Sequence, residues 1–158
     1  MTDRIEKATR ADVPGIVDSW MASYRTAHAA GLIPMARWGD VMRPVVEAIL
    51  ARSTVIVARG SIPDSNRGWL AYEGDDLLHY MYVWKWARGR RYAVAETLLE
   101  AANLAPRFTY SCRTGQGERF LERMFPPGRT RPRFNPLPAR FGSRPRQRKV
   151  TPVVEYKR

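Results

Sequence analysis

Apolar positions along this chain switch between a spacing of two and a spacing of three to four, and each switch marks an element. The segment Arg4 to Thr9 alternates and predicts a first strand. Thr9-Arg-Ala-Asp12 has capping-box character, with Thr9 as the cap and Asp12 reaching back. Val13, Ile16, Val17, Trp20 and Tyr24 then recur at helical spacing and give one apolar face. Gly31 and Pro34 break that pattern, and a second helix follows from about Ala36 to Ala51, with Val41, Val45 and Ile49 buried. Thr54 to Arg59 is rich in β-branched residues and reads as a strand, followed by a turn cluster from Ser61 to Arg67. Gly68 to Glu73 and Leu77 to Trp84 are further strands, joined by a tight turn at Gly74. A helix from Ala93 to Asn103, a strand from Phe108 to Cys112 and an amphipathic helix from Gly117 to Phe125 complete the pattern. Phe120, Leu121 and Met124 form the apolar face of that last helix.

After Pro126 the chain changes character. Its prolines oppose a helix and favour an extended path, with Val150 to Tyr156 as a final edge strand that tolerates Pro152. Charge marks the same boundary. Residues 1–125 carry 17 Lys and Arg against 14 Asp and Glu, whereas residues 126–158 carry 10 against one, Glu155. The division is therefore a globular body over 1–125 and a basic Pro/Arg-rich extension over 126–158. Arg140, Arg144, Arg146, Arg148 and Lys149 cluster in that extension as contacts for nucleic acid or an acidic protein surface.

Composition narrows the class. With 44% hydrophobic residues, 158 residues suffice for one domain with a single core. No run of eighteen apolar residues predicts a membrane span, and the N-terminus lacks the apolar stretch of a secretory signal. The lone Cys112 has no partner for an internal disulfide, and no Cys/His spacing suits zinc, so no metal site is expected. These features predict a soluble protein of a reducing, cytoplasmic compartment.

The densest chemical signal is Arg90 to Leu99, which follows an aromatic strand. A basic turn there runs into a helix whose first turn carries Ala93 and Ala95. Such a turn presents unpaired backbone N–H groups and the positive end of the helix dipole, and its small side chains admit a phosphate. Arg88, Arg90 and Arg91 add full charges. The arrangement predicts an anion cradle for a pyrophosphate.

That stretch resembles motif A of the GCN5-related N-acetyltransferases, Arg/Gln-x-x-Gly-x-Gly/Ala followed by a two-leucine helix. Arg90, Ala93 and Ala95 stand at the signature positions, and Leu98 and Leu99 at the paired leucines. Ala93 replaces the usual glycine. The element order and the opening Ile5 to Val13 carry the likeness over residues 4–125. The resemblance implies an α/β, acyl-CoA N-acyltransferase-like fold with a mixed, mostly antiparallel sheet flanked by helices. It further implies acetyl-CoA in a V-shaped gap between strands 77–84 and 108–112, with an amine as acceptor. Tyr82, Val83, Arg88, Arg90, Arg91, Tyr92, Ala93, Val94 and Ala95 are the corresponding cofactor-binding residues. The link from strand to arginine is two residues longer than the family's, which predicts a bulge there.

The resemblance also implies a base, often Glu, and a tyrosine acid on the last helix. Glu73 and His79 are the candidates for the base: one ends its strand and the other sits mid-strand opposite. The tyrosine is absent, since Leu121 holds its position and Thr114 that of the family's asparagine. Tyr80, Tyr82, Tyr110 or Cys112 could substitute, or the thiolate leaves unaided, or nothing is transferred. The leading expectation is an acyl-CoA-dependent N-acyltransferase. The alternative is a catalytically degenerate protein of the same fold acting through its basic tail. Residues Ser19 to Arg25, the Leu78-His-Tyr80 strand and the basic link resemble small acetyltransferase-like proteins of tailed bacteriophages. That likeness implies host cytoplasm or virion as the location, with virion components or further copies of the chain as partners.

Overall fold

The computed structural model describes residues 3–25, 33–61, 65–88, 93–112, 114–126 and 132–134. Among the described residues four α-helices and six strands follow in the order β1 (Arg4–Lys7), α1 (Val13–Arg25), α2 (Trp38–Arg52), β2 (Thr54–Arg59), β3 (Asn66–Glu73), β4 (Leu77–Val83), α3 (Ala93–Ala102), β5 (Thr109–Tyr110), α4 (Gly115–Met124) and β6 (Arg133–Phe134). The strands form one sheet in sequence order. β1 to β4 pair antiparallel, whereas β5 runs parallel to β4 and β6 parallel to β5. The expected mixed, mostly antiparallel sheet flanked by helices is therefore present.

Alternation along the strands divides the core in two. Val57, Trp69, Ala71 and Tyr80 meet Ile16, Trp20, Met42, Val46 and Ile49 of α1 and α2 on one face. Ile56, Ala58, Leu70 and Leu78 meet Val94, Leu98, Leu99 and Phe120 of α3 and α4 on the other. Leu78 and Tyr80, two apart on one strand, lie on opposite faces. The reason is a bulge: Ala71 pairs with Tyr80 and Tyr72 with Leu78, so His79 is an extra residue in β4.

Several expectations shift at element ends. β1 stops at Lys7, and α1 begins at Val13 because Thr9 to Asp12 closes a separate turn. In it the Thr9 amide and hydroxyl both donate to Asp12 Oδ2 at 2.8 Å, while the Asp12 carbonyl accepts from Ile16. Asp12 thus opens the helix in place of Thr9. In α2 Ile49 is buried as expected and Val45 packs against the core, but Trp38, Met42 and Val46 supply the rest of the buried face and Val41 is exposed. The lengthened link after β4 is a 3-10 turn at Lys85–Ala87, not a bulge. β5 pairs over only two residues of the expected five. β6 falls beyond residue 125, so the sheet reaches into the proline-rich segment; Val150 to Tyr156 lie outside the described residues.

At Gly68 the backbone of β4 leaves no room for a side chain on β3. A Cβ there would stand 2.7 Å from the Tyr82 carbonyl oxygen and 3.3 Å from Val83 Cα, both backbone atoms that cannot swing aside. Gly68→Ala is expected to cost about 1–3 kcal/mol, as overpacking does. Urea unfolding of the two proteins measures it, and an unchanged midpoint would show that the strands can part without loss.

Candidate functional site

β4 and β5 pair only at Leu77 with Thr109 and Leu78 with Tyr110. One further bond, from the Ser111 amide to the Leu78 carbonyl at 3.0 Å, closes the contact. Beyond it β4 runs on to Val83, while the other chain turns into α4 at the Thr114 cap, whose hydroxyl accepts from the Gly117 amide at 3.0 Å. A cleft of about 970 Å³ opens in this fork. Its walls are Ala22 and Ser23 of α1, Tyr80 to Val83 of β4, Val94 and Ala95 of α3, and one side of α4.

Backbone chemistry of the β4 wall follows from its pairing. Trp84 N–H donates to the Arg67 carbonyl at 3.0 Å, so Trp84, Tyr82 and Tyr80 turn their backbone groups toward β3. Those of Val83 and Met81 therefore face the opening, where no strand pairs with them. Arg88 closes the end of this edge. Its Nε donates to the Val83 carbonyl at 2.7 Å, and its guanidinium lies 5.5 Å from the centre of the Tyr82 ring. Lys85 and Ala87 of the 3-10 turn continue the same wall.

Of the expected cofactor residues, Tyr82, Val83, Arg88, Val94 and Ala95 come together on this cleft, and Ala93 opens α3 beside them. Arg90, Arg91 and Tyr92 lie outside the described residues, as do Arg140, Arg144, Arg146, Arg148 and Lys149. Ser23, Gln116 and Arg119 also line the cleft, although the sequence assigns them no role in a site. Ser23 occupies the third turn of a helix otherwise read for its apolar face, and only the fold brings it to β4.

The two residues expected to act as base sit elsewhere. His79 is 1% exposed and does not line the cleft. Its Nδ1 is 3.1 Å from Ser111 Oγ and its Nε2 2.6 Å from Glu73 Oε1. The same carboxylate oxygen accepts from Arg52 Nε at 2.5 Å. Ser111 Oγ also reaches the His79 carbonyl at 3.3 Å. Arg52, Glu73, His79 and Ser111 thus form a chain that ties the bulge to both the end of α2 and the start of the fork. Burial pushes the Glu73 carboxyl up, but hydrogen bonds and charge from His79 and Arg52 outweigh it and hold the group below its ordinary value.

Of the expected acid substitutes, Tyr80 and Tyr82 line the cleft, while Tyr110 and Cys112 do not. Tyr110 hydroxyl points to Glu118 at 3.4 Å. Cys112 packs against the aromatic cluster of α1, where desolvation pushes its thiol up to about 12. Leu121, where the sequence resemblance would expect a tyrosine, is partly buried against the core of the α3 and α4 face. No helix among the described residues is long and apolar enough to cross a membrane.

The sign of the Glu73 shift fixes a pH dependence. A carboxyl with a depressed folded pKa adds stability above its ordinary value of 4.5, and that stability is lost as pH falls through the folded value. Glu73→Gln should therefore cost about 1–3 kcal/mol near neutral pH, where a charged acceptor is lost. The gap to wild type should narrow at acid pH below the ordinary value of 4.5, as pH falls through the depressed folded value and the wild-type carboxyl itself protonates. Denaturant unfolding at both pH values tests this, and a gap that stays constant would remove the charge from the account.

No family model matches the sequence, and none of the curated proteins matches it. Solved structures do. A GCN5-related N-acetyltransferase from Rhodopseudomonas palustris superposes with a TM-score of 0.52 at 18% identity, over 78% of this chain and 81% of that one. Apo YjaB from Escherichia coli gives 0.60 at 19% identity, over 79% and 82%. A protein of Corynebacterium glutamicum described as a histone acetyltransferase and related acetyltransferase gives 0.58 at 19%, over 78% and 84%. At such identities the likeness concerns backbone architecture, and on that ground the chain has the fold of the GCN5-related N-acetyltransferases.

Proposed function

We propose that this chain is an acyl-CoA-dependent N-acyltransferase that moves an acetyl group from acetyl-CoA to an amine. The observation that carries the reading is the fork between β4 and β5. It leaves a strand edge, Met81 and Val83, that no other strand pairs with, directly beside the first turn of a helix and a guanidinium. A long ligand with amides at one end and phosphates at the other matches that sequence of features.

The residues fit such a ligand. Backbone groups of Met81 and Val83 have the spacing of a strand edge and would pair with the amides of the pantetheine arm. Val94 and Ala95 line the cleft at the first turn of α3, where the small Ala95 would admit phosphate oxygens, and Arg88 supplies charge at that end. Arg90, Arg91, Tyr92 and Ala93 complete the cradle in this reading. Bound acyl-CoA supplies a thioester whose acyl carbon an amine can attack. Tyr80 and Ser23 then face the acyl end of the cleft, on the α1 side. His79 and Glu73 act from behind the wall, as groups that hold the bulge in β4 and not as groups in contact with the acceptor.

Isothermal titration calorimetry with acetyl-CoA is the direct test. Wild type should bind, and the double variant Arg90→Glu, Arg91→Glu should bind at least about tenfold more weakly, since bonds to charged groups are worth about 1.5–3 kcal/mol each. Absence of binding to wild type, or equal binding to both proteins, would overturn the reading.

A further inference from the structure

Aminolysis of a thioester has to take one proton from nitrogen and deliver one to sulfur. Side chains that commonly do this are missing from the described walls of the cleft. Of the fifteen Asp and Glu residues, all but Asp64 and Glu155 are described, and none of those lines it. Neither does His79 or Cys112, which with Glu118 border a separate cavity of about 40 Å³ behind Tyr80, Met81 and Phe120. The charged groups that do are Lys85, Arg88 and Arg119, all cationic. Proton exchange among the described lining residues is left to hydroxyls.

Those hydroxyls are not equivalent. Thr114 is committed to capping α4. Tyr82 packs edge-on against Trp84, with ring centres 5.1 Å apart, and lies under Arg88. Tyr80 is held differently. Its ring stacks on Trp20 at 5.0 Å and 13°, tilts against Trp69 and meets Tyr24 edge-on. That clamp fixes the phenol oxygen 2.8 Å from Ser23 Oγ. Ser23 in turn reaches the carbonyls of Ser19 at 2.6 Å and Trp20 at 3.2 Å. Either oxygen can be the donor between Ser23 and Tyr80, so a proton can pass along this bond from Ser23 to Tyr80. Burial raises the Tyr80 pKa above its ordinary value, which keeps the phenol protonated at neutral pH.

We propose that Tyr80 and Ser23 form the proton relay of acyl transfer, an inference that rests on the function proposed above. The nitrogen lone pair forms the C–N bond, and the C–S bond breaks with its electron pair on sulfur. The nitrogen proton passes to Ser23 Oγ while the Ser23 proton passes to the Tyr80 oxygen. The Tyr80 proton goes to sulfur. Products are an amide and a free thiol, and both hydroxyls end as they began. The cations on the walls disfavour a charged ammonium, so the amine enters as its free base and needs no carboxylate to deprotonate it first.

Tyr80→Phe and Ser23→Ala, each in the full chain, separate this relay from simple packing. Three quantities are read: acetyl-CoA affinity by calorimetry, thiol release with hydroxylamine as the amine, and the pH at which the ultraviolet thiolate band of bound CoA appears. Affinity should stay within about threefold in both variants, while kcat falls about a hundredfold in Tyr80→Phe and about tenfold in Ser23→Ala. The bound thiol should titrate about one pH unit higher in Tyr80→Phe, because a hydrogen bond to the thiolate is lost. Unchanged kcat together with an unchanged thiol titration in Tyr80→Phe overturns the relay and leaves the acyltransferase reading standing. If hydroxylamine is not used by wild type, the thiol titration decides alone. Should Tyr80→Phe not fold, Ser23→Ala decides by the same kcat. Wild type that does not bind acetyl-CoA removes both proposals together.

Discussion

At His79 the fourth strand carries one residue more than its neighbour can pair with, and the site depends on how that surplus is accommodated. The extra residue moves Tyr80 onto the α1 face while Leu78 stays on the α3 face. Without it, Tyr80 would lie in the apolar layer under α3 and α4, away from Ser23. A bulge also disrupts the ladder and bends its strand. Here it sits where β4 and β5 part. The imidazole of the surplus residue does not reach the cleft; its bonds to Glu73 and Ser111 fix the bulge from within.

Burying that imidazole is sustainable because each ring nitrogen has a partner, and because Glu73 is in turn held by Arg52. Buried polar groups are costly only when left unpaired. This network therefore joins three pieces of backbone distant in sequence: the end of α2, the β3–β4 hairpin and the start of the fork. On the other side of the sheet edge, the aromatic group of Trp20, Trp69 and Tyr80 does the same with apolar contacts. Polar and apolar anchors meet at adjacent residues of one strand, which is why the geometry of its next four residues is so closely set.

Much of this was legible in the residues. Helical spacing at Ile16, Val17, Trp20 and Tyr24 marked the buried face of α1, and the small residues of Ala93 and Ala95 marked the turn that meets the cleft. What escaped has physical causes. Leu77 to Trp84 is apolar or aromatic on both faces, so a one-residue slip leaves no trace in its hydrophobic pattern. In α2 the buried face turns on Trp38 and Met42, and the reading gave weight to the β-branched Val41 and Val45. β6 pairs over two residues amid prolines, too short a run to show any period. The partners of His79 are long-range and arise from the topology; nothing local distinguished a buried, satisfied histidine from a reactive one. Ser23 was hidden for the same reason.

The shortness of β5 has one more consequence. Two paired residues on each side attach it to β4 and β6, and a tilted contact between the Tyr110 and Phe134 rings, with centres 5.3 Å apart, reinforces the outer side. Few backbone bonds must break to shift this wall, whereas β4 is laced to β3 along its whole length. Opening free energy in proteins is spread unevenly, and thin attachments mark the low end. The fork therefore has one rigid tine and one compliant tine, so adjustment to the girth of a guest falls on the side away from Tyr80.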